Sequence, residues 1–356
     1  MQLFETAKLG NITLQNRVVM APLTRSRATD NLANDLMAKY YSERATAGLL
    51  ITEGTSPSVD GIGYARIPGL YTQQQAQAWK KVTSAVHAKG GKIFVQLMQC
   101  GRVAHPLNIP AGGRLLAPSA LAAPGQMWTD SGGMKDHPVP IEMTEADILK
   151  AIGEYKTSAK LAIEAGFDGV ELHGANGYLI DQFLNTASNH RKDKWGGSVE
   201  NRIRFAVEVA KVVTAEIGGD KVGIRVSPYG AFNGMQADAQ MDELYASLAA
   251  ELSKLKLVYV HVVDHSSMGA PAVSAKVKGQ IRDLFKGAYI LSGGYTSAAQ
   301  ANADLAAGKG DLVAFGRMFI SNPNLVAKLK SGAALTAPNP DTFYTPGEKG
   351  YTDYPA

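Results

Sequence analysis

An imidazole, a carboxamide and a phenol fall within six residues of one another in Glu171-Leu172-His173-Gly174-Ala175-Asn176-Gly177-Tyr178. His173 and Asn176 are three apart, so a helix-like turn would put them on one face, and Gly174 and Gly177 leave the backbone free to turn tightly between them. Two donors converging on one point suit an oxygen that gains negative charge, as in a carbonyl or nitro group. The phenol of Tyr178 can deliver a proton while uncharged at rest. As a metal site the trio is poor, because one histidine, an amide and a phenol make a weak ligand set. The alternative is a core histidine surrounded by ordinary turn hydrogen bonds.

Other side chains could serve a bound group. Arg225 is flanked by apolar residues in Ile224-Arg225-Val226-Ser227. A buried guanidinium is costly unless compensated, so Arg225 either neutralises a cofactor's negative charge or belongs to a structural ion pair. Gln96, between Val95 and Leu97, carries a donor and an acceptor on one amide. That suits the edge of a heterocycle, unless the backbone satisfies both. Ser292-Gly293-Gly294 and Phe315-Gly316-Arg317 offer uncovered backbone N–H groups beside an arginine fork, a pattern suited to phosphate.

Eight short apolar runs carry these residues: 17–23, 49–54, 92–98, 169–174, 222–228, 257–264, 288–294 and 312–317. Continuous apolar runs without alternation suit strands buried on both faces. Between them lie helix signals. Thr144 precedes Asp147 by three, a capping-box spacing, ahead of an apolar face through Ile148, Ile152, Tyr155, Ala159 and Ile163. Ser198 opens another helix, Ser297 and Gln300 repeat the capping spacing, and the segment 72–89 ends at Gly90-Gly91, a C-terminal stop. Eight strands alternating with helices predict an α/β fold, a (β/α)₈ TIM barrel forming one domain over residues 1–356, with chemistry at the strands' C-terminal ends and phosphate after strands seven and eight. A doubly wound sheet is the rival, but Gly61-Ile62-Gly63 lacks the third glycine of a dinucleotide fingerprint. Residues 101–140, rich in Gly, Pro and Ala, read as a long excursion after strand three, lying over the barrel mouth.

The net charge of +4 is spread without a basic run, which argues against nucleic-acid and membrane partners. No apolar stretch reaches the length of roughly 18 residues expected of a membrane span, and the N-terminus does not read as a signal peptide. One cysteine, Cys100, excludes an intrachain disulfide and suits a cytoplasmic setting. A monomer or homodimer acting on a small molecule is expected.

Taken together, Ala21-Pro22-Leu23-Thr24-Arg25, Tyr40-Tyr41 with Arg44-Ala45, the His173–Tyr178 segment, Trp195-Gly196-Gly197-Ser198 with Asn201-Arg202, Phe315-Gly316-Arg317 and Gly350-Tyr351-Thr352-Asp353-Tyr354-Pro355 resemble the Old Yellow Enzyme family. The likeness runs from near Phe4 to the C-terminus. It implies a tightly bound, non-covalent FMN. Pro22, Leu23 and Thr24 would lie along the flavin, Gly54 beside its ring, Gln96 and Arg225 at its pyrimidine edge, and Gly293, Gly294, Gly316 and Arg317 at its phosphate. His173 and Asn176 would bind the substrate's activating oxygen, Tyr178 would donate a proton, and Tyr64, Met98 and Tyr344 would line the substrate pocket. Several family members have tryptophan where Met98 stands, which implies a roomier pocket there, since methionine is thinner and adaptable. Many have alanine at the Gly54 position.

The activity implied by the resemblance is reduction of C=C bonds conjugated to an electron-withdrawing group (α,β-unsaturated carbonyls, maleimides, nitroalkenes), with NADPH or NADH as hydride donor. Two other readings remain. A phosphate-binding isomerase or aldolase barrel would need a base such as Glu53 or Glu171, and a flavin-binding protein without turnover would share the cofactor site.

Overall fold

The apolar runs become the staves of a closed barrel. The computed structural model describes residues 1–355. Its parallel strands are β1 (Val18–Met20), β2 (Leu49–Thr55), β3 (Ile93–Leu97), β4 (Gly169–Gly174), β5 (Val222–Val226), β6 (Tyr259–Val263), β7 (Ala288–Ser292) and β8 (Leu312–Phe315). Each pairs with its sequence neighbour, and β8 pairs with β1 to close the ring. Each expected run coincides with one strand, the second extending one residue further, to Thr55. Several strands stop short of the run because the chain leaves the ladder to build the mouth. After Met20 comes Pro22, which has no N–H to give a sheet, and after Phe315 the chain turns away through Gly316.

Three layers fill the barrel. At the end where the strands begin, Val19, Leu49, Ile51, Phe94, Tyr259, Ile290 and Leu312 form one apolar cluster, into which Leu9 and Leu14 of the hairpin Ala7–Leu9/Ile12–Leu14 also pack. Above it the interior turns polar. Parallel register places Glu171 level with Gln96, and His173 level with Arg225, which is level with His261. Residues two apart on a strand share a face, so Glu171 and His173 both face inward on β4. The third layer is the open mouth.

The outer helices start where their caps predict. Thr72 and Gln75 form a reciprocal capping box on Gln73–His87, as do Thr144 and Asp147 on Glu145–Glu164, and Ser198 and Ser297 each accept an N–H at Val199–Ile217 and Ala298–Ala306. Each such cap is worth about 1 kcal/mol. The excursion after β3 is more ordered than its composition suggests. Leu116–Ala117 pairs with Ile141–Glu142, and Gln126–Thr129 forms a hairpin with Gly133–Asp136. Gln126–Thr129 alternates exposed and buried residues, but four residues are too few for that period to stand out.

Several motif residues turn out to hold the C-terminal segment. Arg25 donates to the carbonyls of Phe343 and Gly350, Arg27 to those of Thr342 and Lys349, and Tyr40 stacks on Tyr351 at 4.1 Å. Arg44 is fully buried, donates to the Phe319, Ile320 and Tyr40 carbonyls, and lies 3.7 Å from the centre of the Tyr40 ring. Loss of that fork strands buried carbonyls and removes a cation–π contact. Arg44→Met is therefore expected to lower unfolding free energy by about 3 kcal/mol in denaturant titration; a change within error would mean the fork is dispensable.

Candidate functional site

A cavity of about 890 Å³ opens where the strands end. Every residue expected at the cofactor or substrate lines it: Pro22, Leu23, Thr24, Gly54, Tyr64, Gln96, Met98, His173, Asn176, Tyr178, Arg225, Gly293, Gly294, Gly316, Arg317 and Tyr344. The excursion contributes Gln126, Met127, Trp128 and Met134, so it does lie over the mouth.

The floor holds an uncompensated cation. Arg225 is buried, makes no ion pair among the described residues, and has its Nε enclosed without a hydrogen-bond partner. Burial pushes its pKa down, opposed by the charge of Glu171, but a guanidinium stays protonated. Glu171 is already engaged: it accepts from Gln96 Nε2 at 2.8 Å, His261 Nδ1 at 2.8 Å and Tyr259 Oη at 3.1 Å. The nitrogen of the Gln96 amide is thus committed to a carboxylate rather than to backbone, while the side chain faces the cavity. Burial, and then the Arg225 charge, hold His173 well below the ordinary histidine pKa. It is a neutral imidazole, and its Nδ1 is buried without a partner.

The turn after β4 is not helical. Asn176 has φ 62° and Gly177 φ 78°, both left-handed, a region where asparagine and glycine are the least strained residues. Asp181 fixes the turn from below. It accepts from Gly177 N at 2.8 Å and from Ser227 Oγ at 3.4 Å, and Ser227 Oγ in turn accepts from Asn176 N at 2.9 Å. His173 still packs against Tyr178, ring centroids 4.9 Å apart, and Tyr178 Oη lies 3.0 Å from Tyr64 Oη. Burial drives the Tyr178 phenol well above its ordinary pKa, so it holds its proton at neutral pH.

Met98 is fully buried, and its thioether folds onto Gly54: a Cβ at Gly54 would lie 2.4 Å from Sδ and 2.5 Å from Cε. The side chain thus occupies the place an alanine methyl would take, so the room at Met98 and the glycine at 54 are one packing solution. Cys100 packs with Met98, Ile62 and Ile67, and burial pushes its thiol up to about 12, which makes it an inert wall. Neither rival base fits the cavity. Glu171 is saturated beneath it, and Glu53 is buried against Arg25 N and Tyr41 Oη; neither lines the opening.

Sequence reasoning missed several residues. Arg66 ties the mouth together, donating to Ser26 O at 3.0 Å and Tyr344 O at 2.9 Å and pairing with Asp130 beside the hairpin; nothing in its surroundings marks it. His265 lies just past β6 and lines the cavity. A check of polar residues at every strand end would have found it.

Known proteins agree with this geometry. The profile of the NADH:flavin oxidoreductase / NADH oxidase family matches residues 2–336. A probable flavin mononucleotide-dependent alkene reductase from Leishmania infantum is 42% identical over 352 residues, 98% of this chain and 95% of that protein. The Old Yellow Enzyme homologue from Zymomonas mobilis superposes with a TM-score of 0.95 at 39% identity, covering all of both chains. The chain belongs to the Old Yellow Enzyme family. Morphinone reductase is a further structural relative, with a TM-score of 0.95, 42% identity, and coverage of 99% of this chain and 96% of that one.

FMN is the cofactor of this Old Yellow Enzyme family member, and a nicotinamide nucleotide its reductant. The cavity suits both an isoalloxazine and a phosphate. The orphaned Arg225 guanidinium needs electron-rich atoms above it, and Gln96 presents an amide beside it. At the opposite edge, a Cβ on Gly316 would meet nothing closer than 3.9 Å, so its backbone is open to a ligand, and Arg317 stands exposed alongside.

Asp181 makes the turn sensitive to pH. Burial raises its pKa from 3.8 to about 7, so between those values the folded chain binds a proton that the unfolded chain has released. Stability from this group is therefore lost as pH rises from about 4 to about 7. Asp181→Asn is expected to flatten the fall of the thermal midpoint across that window relative to the parent. An identical slope in both proteins would show that Asp181 titrates normally.

Proposed function

We propose that the chain is a single-domain ene-reductase that reduces C=C bonds conjugated to a carbonyl, imide or nitro group, drawing hydride from NADPH or NADH. The observation that carries this reading is the convergence on one cavity of a neutral histidine, an asparagine amide and a protonated tyrosine above a buried arginine without a counter-ion. Relatives described as an alkene reductase and as morphinone reductase support it. The free, buried cysteine suits a cytoplasmic setting, and we assign the protein as a monomer or homodimer.

Bound FMN supplies the hydride, from N5 of its reduced ring. Pro22, Leu23, Thr24 and Gly54 would form the wall along the flavin, with the Thr24 hydroxyl available to hydrogen-bond it. Gln96 and Arg225 hold the pyrimidine edge, where the guanidinium favours negative charge. Gly293, Gly294, Gly316 and Arg317 bind the phosphate. His173 and Asn176 grip the activating oxygen of the alkene and stabilise the charge that grows on it as the β-carbon accepts hydride. Tyr178 gives its proton to the α-carbon. Tyr64, at 3.0 Å, can then donate its own hydrogen bond to the Tyr178 oxygen and offset the charge left there. Tyr64, Met98 and Tyr344 shape the substrate's surroundings.

Tyr178→Phe separates the two half-reactions. Reoxidation of the reduced protein by 2-cyclohexenone should slow by about a hundredfold, while flavin reduction by NADPH stays near the parent rate, both followed by stopped-flow absorbance. Equal losses in the two steps would refute the proton-donor role.

A further inference from the structure

Asn176 is tied down at every polar atom except one. Its N–H donates to Ser227 Oγ at 2.9 Å, its carbonyl accepts from Asn233 Nδ2 at 2.7 Å, and its side-chain Oδ1 lies 2.7 Å from His265 Nε2. Among the described residues only Nδ2 finds no partner, and the residue faces the cavity. We propose that His265 is a positioning residue: it fixes the Asn176 amide with its oxygen turned away and its two N–H bonds toward the substrate. This rests on the assignment of Asn176 as a substrate-oxygen donor.

Hydrogen-bond polarity sets the orientation. A side-chain amide has two faces of similar shape, one that donates and one that accepts. An electron-poor alkene presents an oxygen acceptor, so an unrestrained amide would spend part of its time showing that oxygen its own carbonyl. Oδ1 can only accept, so the contact with His265 is a hydrogen bond only when the imidazole proton sits on Nε2. That tautomer rewards the productive rotamer and disfavours the flipped one, which would set Nδ2–H against Nε2–H. Burial and the nearby Arg225 charge lower the His265 pKa to about 4, opposed by Asp264. At neutral pH the donor is therefore an uncharged ring, which orients the amide without adding a second cation above Arg225. The ring of Phe232 packs on His265, centroids 4.6 Å apart, and restrains it in turn.

A double-mutant cycle tests this on the flavin-loaded protein. The probes are cyclohexanone binding to the oxidised form, read from the flavin absorbance shift, and reoxidation of the reduced form by 2-cyclohexenone. His265→Ala should weaken cyclohexanone binding and slow reoxidation by about five- to tenfold each, the scale of one neutral hydrogen bond. His265→Gln, whose amide can donate to Oδ1, should recover most of both. In an Asn176→Ala background, His265→Ala should have no further effect, because nothing is left to orient. Equal losses with and without Asn176, or failure of glutamine to rescue a variant with the parent's thermal midpoint, would overturn the proposal and assign His265 to packing against Phe232. If the parent itself is not reoxidised by 2-cyclohexenone, the ene-reductase reading fails first, and the positioning role falls with it.

Discussion

A positive charge, that of Arg225, is enclosed in the barrel with no carboxylate of the described residues within bonding reach, and the site is arranged around that fact. Moving a charge out of water costs several kcal/mol even after relaxation. The usual remedy, a buried ion pair, is withheld from Arg225 because Glu171 is occupied by Gln96, His261 and Tyr259. Compensation has to come from the cavity side. An electron-rich ring edge seated there would meet the guanidinium's need. Burial, and then the same charge, hold His173 and His265 below the ordinary histidine pKa, so neither adds a competing cation.

The rest of the barrel makes that charge tolerable. Below it, the apolar cluster sealed by the N-terminal hairpin keeps water from entering at the strands' beginning. Above it, Arg25 and Arg27 fasten the C-terminal segment so that Phe343 and Tyr344 reach the rim, Arg44 holds the chain just after β8, and Arg66 joins the C-terminal segment to the hairpin region. Arg25 and Arg44 are as characteristic of the sequence as the turn after β4, yet they bond to backbone carbonyls of the protein itself. Their spacing marks a scaffold, and the chemistry falls to fewer residues.

How far this was legible in the chain follows from what each residue contacts. The strands were readable because both faces of each are buried, which leaves unbroken apolar runs, and the helices because their caps are local. Residues at strand ends were readable because closure of the barrel carries them to one mouth whatever the loops do. The left-handed turn at Asn176 was not, since asparagine followed by glycine also fits other turns and the bonds that select it come from Ser227, at the exit of β5, and from Asp181, on the short helix Leu179–Leu184 that follows the turn. The Gly54–Met98 contact joins neighbouring strands and has no signature on either one. The hairpin over the mouth is too short for its alternation to register. Arg66 and His265 gain their roles from partners more than thirty residues away.

The central claim is that Arg225 awaits the flavin, and FMN binding tests it most directly. Flavin-stripped protein and its Arg225→Met variant, which preserves bulk but not charge, would be titrated with FMN and followed by quenching of flavin fluorescence. The account expects the parent to bind FMN tightly and the variant to bind it at least about tenfold more weakly, the scale of a charge-assisted hydrogen bond. Equal affinity in the two proteins, or no uptake by the parent, would contradict it.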